Sequence, residues 1–473
     1  MSKNTNRTSR LLTLAATPLI ALASLASLGL AGCAASTTSA TTPLANTVTG
    51  NAFVIGTDAP AAGVVSFTAQ VQSINSITST GTSVSLLSGS PTVDFARYNG
   101  LQTLLDLNAV PVGTYTSVQI TLGSATIGYL NTQAGAAPTI QTEPAVLSSN
   151  TVTINLATPF VVSQSGPVGL RVDFDLFQSI QVDSNGQITG NVTPTFDVAA
   201  VAPTDSGAHI DEFDAAVVSV DPTGQSFVIQ RPNGRQFTVQ LNGQTDFENG
   251  ESISNLTTSS IVQISGTLQS ADSTIAADEV AILSQQAFYA SGQVTYVQPP
   301  SGAATSFDLY VRDLLPTTTG LSLGQIATVD LSGNEKYFVY RMHNPLTQFL
   351  FNSNGLLPGQ HVAIGGPATG AANAQAVTAK RVVLRNWGFN GALVAGSANA
   401  STDTFQLNIN GFAGLLVPGP VTVYVTSATT FRKGIASITD LPSTANLRVV
   451  GLLIKDPTSG KPVLLARHID KLK

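Results

Sequence analysis

Apolar and polar residues alternate in short runs along most of the chain from residue 51 onward, a pattern that predicts β-strands. The alternation is clear over residues 65–74, 115–122 and 151–156. Asn185-Gly186 lies between apolar ends and is typical of a tight hairpin turn. A short helix or turn is expected at residues 101–107. We therefore expect an all-β chain in which residues 51–203 form an antiparallel β-sandwich of immunoglobulin or prealbumin type.

The rest of the chain repeats itself with a period of roughly 75 to 95 residues, which suits a small domain better than a solenoid unit. Each unit has a strand that begins with Phe, a later strand that ends with Gly, and a closing Ala-x-x-Val or Ala-x-x-Ile: Phe227, Phe307, Phe405; Gly266, Gly366, Gly451; Ala277, Ala379, Ala466. Five or six short strands per unit predict small, OB-like β-barrels in series. The expected units are 213–285, 286–386 (with insertions) and 387–473, after a polar linker at 204–212.

The N-terminus has the layout of an export signal. A basic start (Lys3, Arg7, Arg10) precedes an apolar run over residues 11–30, and the run ends at Leu30-Ala31-Gly32-Cys33. This ending resembles the lipobox of bacterial lipoproteins. The resemblance implies that residues 1–32 are a signal peptide, that cleavage occurs before Cys33, and that Cys33 carries several acyl chains, which anchor a protein stably. The alternative is a buried structural cysteine.

The resemblance to lipoproteins also bears on location. Ala34 follows the cysteine, and in that family a residue other than Asp there implies sorting to the outer membrane, on the periplasmic or the surface face. Residues 33–50 are rich in Ser, Thr and Ala and cannot bury a core, so we expect a tether there. The membrane, reached through lipidated Cys33, is the first expected partner.

Several motifs in residues 51–203 occur in the order found in a known family. Thr57-Asp58-Ala59-Pro60 opens the region, Val110-Pro111-Val112-Gly113 lies in its middle, and Asp173-Phe174-Asp175 lies near its end. This order resembles an uncharacterised family of bacterial lipoproteins with T-D-A-P and D-F-D motifs. The later repeats resemble a second uncharacterised family of small β-barrel domains in exported bacterial proteins. Neither resemblance implies an activity.

Charge and cysteine content exclude some classes of protein. Charged residues make up 10% of the chain, against roughly 25% in typical soluble proteins. Removal of residues 1–32 leaves 18 basic and 27 acidic residues, a net charge of −9. No dense basic stripe occurs, so nucleic acid is not an expected partner. Cys33 is the only cysteine, which leaves none for a disulfide or a thiolate metal site.

One candidate metal site is visible in the sandwich region. Asp173 and Asp175 alternate on a strand and point to one face, and Asp58 would approach them if the first and last strands pair. Such carboxylates suit calcium, the one cofactor that the sequence suggests. The alternative is that Arg171 pairs with Asp173 on a solvated face while Asp58 makes an Asx-turn.

No catalytic signature occurs in the sequence. The histidines His209, His343, His361 and His468 are scattered, and only His209 has two acidic residues close to it, Asp211 and Glu212. G-x-S-x-G, H-E-x-x-H and P-loop motifs are absent from the sequence. We therefore expect no catalytic residues and no enzyme.

Aromatic residues mark candidate ligand-stacking positions. Tyr337, Tyr340 and Phe351 lie in or near an insertion of the second repeat, and Trp387 opens the third. Exposed rings of this kind stack on sugars. The alternative is that these rings belong to cores or domain interfaces.

The expected function is that of a lipid-anchored envelope protein, a non-enzymatic binding or structural module with a glycan or another envelope protein as partner. Alternatives are a purely structural spacer or protein-interaction scaffold, and a hydrolase with an unmarked site. A cluster of perturbed carboxylates in one deep cleft would favour the hydrolase, and flat faces with exposed aromatics would favour binding.

Overall fold

A computed structural model describes residues 48–473 except 60–62, 132–138, 186, 232–233, 270–273, 317–319, 341–348, 368–375, 433 and 473. The predicted signal peptide (1–32), Cys33 and the tether up to residue 47 lie outside the described residues. The described chain is nearly all β, which confirms the predicted fold class. Strand β1 begins at Thr49, so the last residues assigned to the tether belong to the sandwich.

Residues 49–201 form the sandwich. Its elements are β1 (Thr49–Ala59), β2 (Val64–Thr78), β3 (Ser83–Ser85), β4 (Thr92–Asp94), β5 (Thr103–Pro111), β6 (Gly113–Asn131), β7 (Thr139–Pro144), β8 (Val146–Leu147), β9 (Thr151–Val162), β10 (Val168–Asp175), α1 (Leu176–Ser179), β11 (Ile180–Val182), β12 (Ile188–Val192) and β13 (Phe196–Val201). One sheet has the order β13-β10-β1-β5. The other is built on β3-β2-β6-β7, with β4 on β2 and β9 on β6.

The sandwich differs from the expectation in two ways. First, β1 and β10 pair in parallel, so the sheet is mixed rather than purely antiparallel. Second, residues 101–107 are not a helix, because most of them belong to strand β5. Leu104 and Leu107 pack against the first barrel while Leu105 packs in the sandwich core, so both faces are buried and the alternation disappears. The helical turn lies earlier, at Phe95–Tyr98.

The first barrel contains β14 (Ile210–Asp221), β15 (Ser226–Gln230), β16 (Gln236–Gln240), β17 (Asp246–Phe247), β18 (Ile261–Leu268) and β19 (Thr274–Ser284). The second contains β20 (Phe288–Gln298), β21 (Ser306–Leu315), β22 (Ile326–Asp330), β23 (Lys336–Val339), β24 (His361–Gly366), β25 (Ala376–Thr378) and β26 (Arg381–Arg385). The third contains β27 (Trp387–Leu393), β28 (Thr404–Ile409), α2 (Gly411–Leu416), β29 (Pro420–Tyr424), β30 (Thr430–Arg432), β31 (Asn446–Lys455) and β32 (Pro462–Lys471).

The three barrels share one topology. In the first and third, five strands close through a parallel pairing of the third strand with the last, β16 with β19 and β29 with β32. In the second the last strand is split into β25 and β26, and β22 pairs with β25 in the same way. A short extra strand pairs with each last strand. The sheets therefore repeat in the order that the sequence motifs predict.

The predicted linker at 204–212 is only partly a linker. It contains the 3-10 turn Ser206–Ala208, but β14 already begins at Ile210. Asp211 and Glu212 are buried in that strand, at 3% and 2% exposure. These acidic residues are the reason the segment was expected to be solvated. In the structure Glu212 pairs with the buried Arg97 and Arg385, and Asp211 pairs with the partly exposed His209 and Arg467.

The cores of the domains are shared rather than separate. Phe53 and Ile55 of β1 belong to the core of the first barrel. Leu452 and Leu465 of the third barrel belong to the core of the second, and Val450 belongs to the sandwich core. The sandwich therefore packs against the barrels, and neighbouring domains share parts of their hydrophobic cores.

Candidate functional site

Arg97 lies in the 3-10 turn Phe95–Tyr98, which connects β4 and β5 of the sandwich. The turn is fixed because the ring of Phe95 packs edge-on against Phe174 with ring centroids 5.1 Å apart. All four residues of the turn are buried. The Arg97 side chain, 6% exposed, reaches both the first and the second barrel.

A buried ion network surrounds Arg97. Its Nη2 lies 2.6 Å from Asp214 Oδ2 and 3.4 Å from Glu212 Oε2, and its Nη1 pairs with Asp313. Arg385, which is fully buried, lies 3.1 Å from Glu212 Oε2 and 3.3 Å from Asp214 Oδ2 through its two terminal nitrogens. The network thus joins the sandwich to strands β14, β21 and β26.

Tyr289 of β20 completes the network. Its hydroxyl donates to Asp214 Oδ2 at 2.7 Å and accepts from Arg385 Nη1 at 2.6 Å. Each charged group thus has at least one partner of opposite charge, which buried charges require.

The carboxyl groups of this network differ in proton affinity. Burial raises the pKa of Asp313 and of Glu212 above the ordinary values, although the adjacent guanidinium groups oppose the shift. Burial also acts on Asp214, but Arg385 and Arg97 together outweigh it and lower the pKa of Asp214. Two carboxyls on the same guanidinium, Asp313 and Asp214, are therefore shifted in opposite directions.

A cavity of about 620 Å³ opens beside the network, between the sandwich and the first two barrels. We call it the junction cavity. Its volume falls in the usual range for small-molecule sites, which often lie at domain junctions. Its charged lining is Asp94, Arg97, Asp214, Arg231, Arg312 and Asp313. Its apolar wall includes Leu105, Leu314, Leu315, Leu321 and Leu323. The lining thus contains three arginines and three aspartates beside a leucine surface.

The other arginines of the lining are also held firmly. Arg312 lies 3.2 Å from Asp94 Oδ2, and its guanidinium lies 4.7 Å from the ring centroid of Trp387. Burial raises the pKa of Asp94 although Arg312 opposes the shift. Arg231 stacks on the ring of Phe213 at 4.8 Å and donates to the Asp214 carbonyl at 3.2 Å.

A smaller cavity of about 220 Å³ lies between the first and third barrels and is lined by His209, Asp278 and Arg467. His209 Nε2 lies 3.1 Å from Asp278 Oδ2, and Nδ1 lies 3.4 Å from Asp211 Oδ1. Burial opposes protonation, but the hydrogen bonds to Asp211 and Asp278 outweigh it and raise the pKa of His209 to about 9. His209 is therefore a cation that joins two carboxylates.

The structure places two of the three predicted calcium ligands on neighbouring strands. Asp58 and Asp173 lie on the paired strands β1 and β10, in registers Asp58–Phe174 and Thr57–Asp173. Burial and the Asp173 carboxylate raise the pKa of Asp58. Asp175 instead accepts from Gln178 N at 2.9 Å and caps α1, and Arg171 lies 3.5 Å from Asp173. Within the described ranges, no group of three or more His, Cys, Asp or Glu side chains is placed to hold a metal ion.

The predicted stacking residues lie mainly in cores and interfaces. Tyr340 is fully buried at the junction of the first two barrels. Phe351 and Trp387 are 8% and 5% exposed, and Tyr337 is half-buried against Phe351. A sugar could not stack on Tyr340, Phe351 or Trp387 without opening a hydrophobic core. For these three residues the structure therefore favours the alternative, that the rings belong to cores or domain interfaces. His343 lies outside the described residues, and burial holds the pKa of His361 well below its usual value.

The residues of the junction cavity were not predicted from the sequence. One signal was available, because charged residues are scarce and yet interrupt apolar strands. Arg385 follows Val382-Val383-Leu384, and Asp214 follows Phe213. A charge inside an apolar strand in so weakly charged a chain indicates a buried ion pair.

Comparison with known protein families confirms part of the resemblance that the sequence shows. Residues 49–189 match the model of a domain of unknown function, DUF4382. The match confirms that the sandwich region carries an uncharacterised domain, and it ends before β13. No curated protein matches the chain significantly. In the part of the chain that the structure describes, no helix has the length and apolar character needed to cross a membrane.

Proposed function

We propose that this protein is a lipid-anchored envelope protein that binds a neutral, hydroxyl-rich ligand, such as a segment of a glycan, in the junction cavity. The observation that carries the proposal is the cavity itself, whose lining combines three arginines and three aspartates with a wall of leucines. Ligand sites combine an apolar surface with a few fixed polar groups in this way.

The balance of charge argues for a neutral ligand. Three arginines and three aspartates line the cavity, so neither an anion nor a cation gains from net charge there. Each hydroxyl group of a sugar both donates and accepts, and therefore suits adjacent guanidinium and carboxylate groups. The less polar face of a sugar ring would lie on the leucine wall.

The proposed location rests on the N-terminal sequence. A basic start, an apolar run and Leu30-Ala31-Gly32-Cys33 support export and lipidation of Cys33, with the outer membrane as the expected destination. Treatment of expressing cells with globomycin, which blocks lipoprotein signal cleavage, should leave the precursor uncleaved. A protein processed normally under globomycin, with an alkylatable Cys33 thiol, would contradict this part of the proposal.

Binding is tested with the exported chain in which Cys33→Ser prevents lipidation. It is screened against a glycan array and purified cell-wall polysaccharides, with and without calcium. We expect calcium-independent binding that is lost in Arg231→Ala, because Arg231 lines the cavity, where its guanidinium donates to the backbone carbonyl of Asp214. Arg432→Ala, an exposed arginine of the third barrel, is the matched control and should bind normally.

Two results would redirect the proposal. Binding that requires calcium and is lost in Asp173→Asn would move the site to the sandwich. A lack of binding to every glycan would contradict a glycan ligand and favour the spacer or protein scaffold.

A hydrolase is the second candidate, and one observation favours it. Asp313 and Asp214 share Arg97 and line the same cavity, yet the pKa of Asp313 is raised and that of Asp214 is lowered. Two neighbouring carboxyl groups whose pKa values are shifted in opposite directions are typical of a general acid and its ionised partner. Asp313 keeps 27% of its side-chain surface exposed and is the group open to a ligand.

The two candidates are separated by assay of products. Release of reducing ends from bound polysaccharide by the wild-type protein, lost in Asp313→Asn while binding persists, would establish the hydrolase. Binding without product over prolonged incubation would support a binding module.

A further inference from the structure

The end of the sandwich at which the described chain begins has an exposed apolar edge. Val48, Val112 and Val161 are 51%, 44% and 54% exposed. Val112 N donates to Val48 O at 2.9 Å. Gly113, next to Val112, pairs with Val162, next to Val161, so Val112 and Val161 lie close together at this end of the sandwich. We call these three residues the valine edge.

The three residues of the valine edge lie in segments of the chain that contain no charged residue. No charged residue occurs in residues 34–57, 107–142 or 144–170, the segments that contain the three valines and the strands beside them. The acidic residues Asp58, Asp173 and Asp175 lie at the opposite end of strands β1 and β10. With a rise of about 3.3 Å per residue, the eleven-residue strand β1 separates the two ends by about 33 Å.

This distribution of charge suits one orientation at a lipid surface. An anionic bilayer repels carboxylates within a Debye length and does not repel the uncharged segments that carry the valine edge. The acidic end therefore faces away from the lipid when the valine edge faces it. Exposed valine side chains gain free energy when they leave water for the acyl boundary.

The length of chain before Val48 also fits. Fourteen residues, 34–47, separate Cys33 from Val48, and a chain of that length spans at most about 50 Å. Anchoring Cys33 in the bilayer would keep the valine edge within that distance of the lipid. A patch too small to bind vesicles by itself can dock under this condition, because the tether supplies a high effective concentration.

We propose that the valine edge is a membrane-docking surface that orients the sandwich on the bilayer to which Cys33 is anchored. The proposal rests on the proposed lipidation of Cys33. Docking would hold the acidic end, and the barrels packed along the sandwich, at a fixed attitude to the membrane instead of leaving them free on a tether.

The test uses the lipidated protein in vesicles of phosphatidylethanolamine and phosphatidylglycerol. Because Cys33 is the only cysteine and its sulfur would carry lipid, a single new cysteine can be labelled specifically. Val161→Cys places an environment-sensitive fluorophore on the valine edge. Phe177→Cys, 71% exposed near the opposite end of the strands, is the matched control.

The expected result is a blue-shifted emission at position 161 that brominated lipids quench, with neither effect at position 177. Adding Val48→Asp and Val112→Asp should abolish the shift at 161 while the protein still floats with the vesicles. Equal quenching at both positions, or none at 161 in protein that floats, would overturn the docking surface and leave the anchor intact. Protein that stays in solution with a reactive Cys33 thiol would overturn the anchor and the docking surface together.

Discussion

Arg97 and Arg385 share two carboxylates, Glu212 and Asp214, in a region that water hardly reaches. Burying a charge costs several kcal/mol, and only a close partner of opposite charge offsets that cost. The network meets this condition because each guanidinium contacts both carboxylates within 3.4 Å. Removing one member leaves the others buried with unbalanced charge, which is more costly than losing an exposed pair.

Arg385→Met should lower the free energy of unfolding by about 3–5 kcal/mol, since it leaves buried carboxylates short of a partner. The matched control is Arg171→Met. Arg171 is itself 29% exposed and pairs with Asp197 and Asp173, which are 72% and 19% exposed, so its loss should cost less than about 1 kcal/mol. Urea denaturation followed by fluorescence measures both. Equal, small losses in the two variants would mean that the network is not a stabilising contact.

His209 should make stability depend on pH. Its pKa is about 9 in the folded protein and about 6.5 in an unfolded chain. The stabilisation is therefore complete below pH 6.5 and falls as pH rises to 9. The difference in unfolding free energy between wild type and His209→Gln should shrink between pH 7 and pH 9.5.

His468 supplies the control for this titration. Burial lowers its pKa to about 3, so it is neutral in the folded protein from pH 7 to 9.5 and almost neutral in the unfolded chain. His468→Gln should therefore differ from wild type by a constant amount over this range. A constant difference for His209→Gln as well would contradict the His209 ion pairs.

At the scale of elements, a glycine recurs at equivalent positions of the first and third barrels, where two strands approach each other closely. Gly266 of β18 and Gly451 of β31 each lie at a shift of register with the following strand. A Cβ at either position would lie 2.1 Å from a backbone carbonyl oxygen, that of Ala276 or Leu465. The equivalent contacts explain why glycine recurs at this position of the sequence repeat, although both strands continue beyond it.

Gly451→Ala should destabilise the protein by about 1–3 kcal/mol, because the added methyl group forces the backbones of β31 and β32 apart. Gly243→Ala, where a Cβ meets no atom within 4 Å, is the control and should change stability little. Thermal unfolding of both variants measures the difference. A neutral Gly451→Ala would show that the bulge can open without cost.

The alternation of apolar and polar residues predicted the strands well where one face of the strand is buried and the other is exposed to solvent. The Phe-led strands became β15, β21 and β28, each the second strand of its barrel. Prediction failed where both faces are buried, as in β5, and where charges are buried, as at Asp211 and Glu212 in β14. In these places tertiary contacts remove the alternation on which the prediction depends.

The candidate site was beyond prediction for a related reason. Arg97, Asp214 and Asp313 lie far apart in the sequence and on different domains. They meet because the sandwich packs on two barrels, and no local pattern reports that packing. The pairing of β1 with β10, on which the expected approach of Asp58 to Asp173 depends, could be considered from the sequence because it needs only a single strand pairing, and the structure contains that pairing.

At the scale of the whole molecule, residues 47–473 form one compact unit. Cross-domain contacts include Ser66 with Tyr310, whose hydroxyl oxygens lie 2.9 Å apart, and Asn99 Nδ2 donating to Gly388 O at 3.0 Å. Arg381 pairs with Glu251 through both terminal nitrogens, at 2.9 and 2.6 Å. Together with the shared cores, these contacts couple the stability of each domain to its neighbours.

We therefore expect the Cys33→Ser chain to unfold in a single calorimetric transition, with equal calorimetric and van't Hoff enthalpies, although multidomain proteins usually unfold in steps. A chain ended after Asn386 loses Leu452 and Leu465 from the core of the second barrel, so its remaining domains should melt at a lower temperature than the full chain. Two or more transitions in the full chain, with one unchanged in the shortened chain, would mean that the barrels fold independently and that the junction cavity is a contact between separate domains. One transition that falls as a whole would mean that the cavity belongs to a single rigid body, as preorganised binding requires.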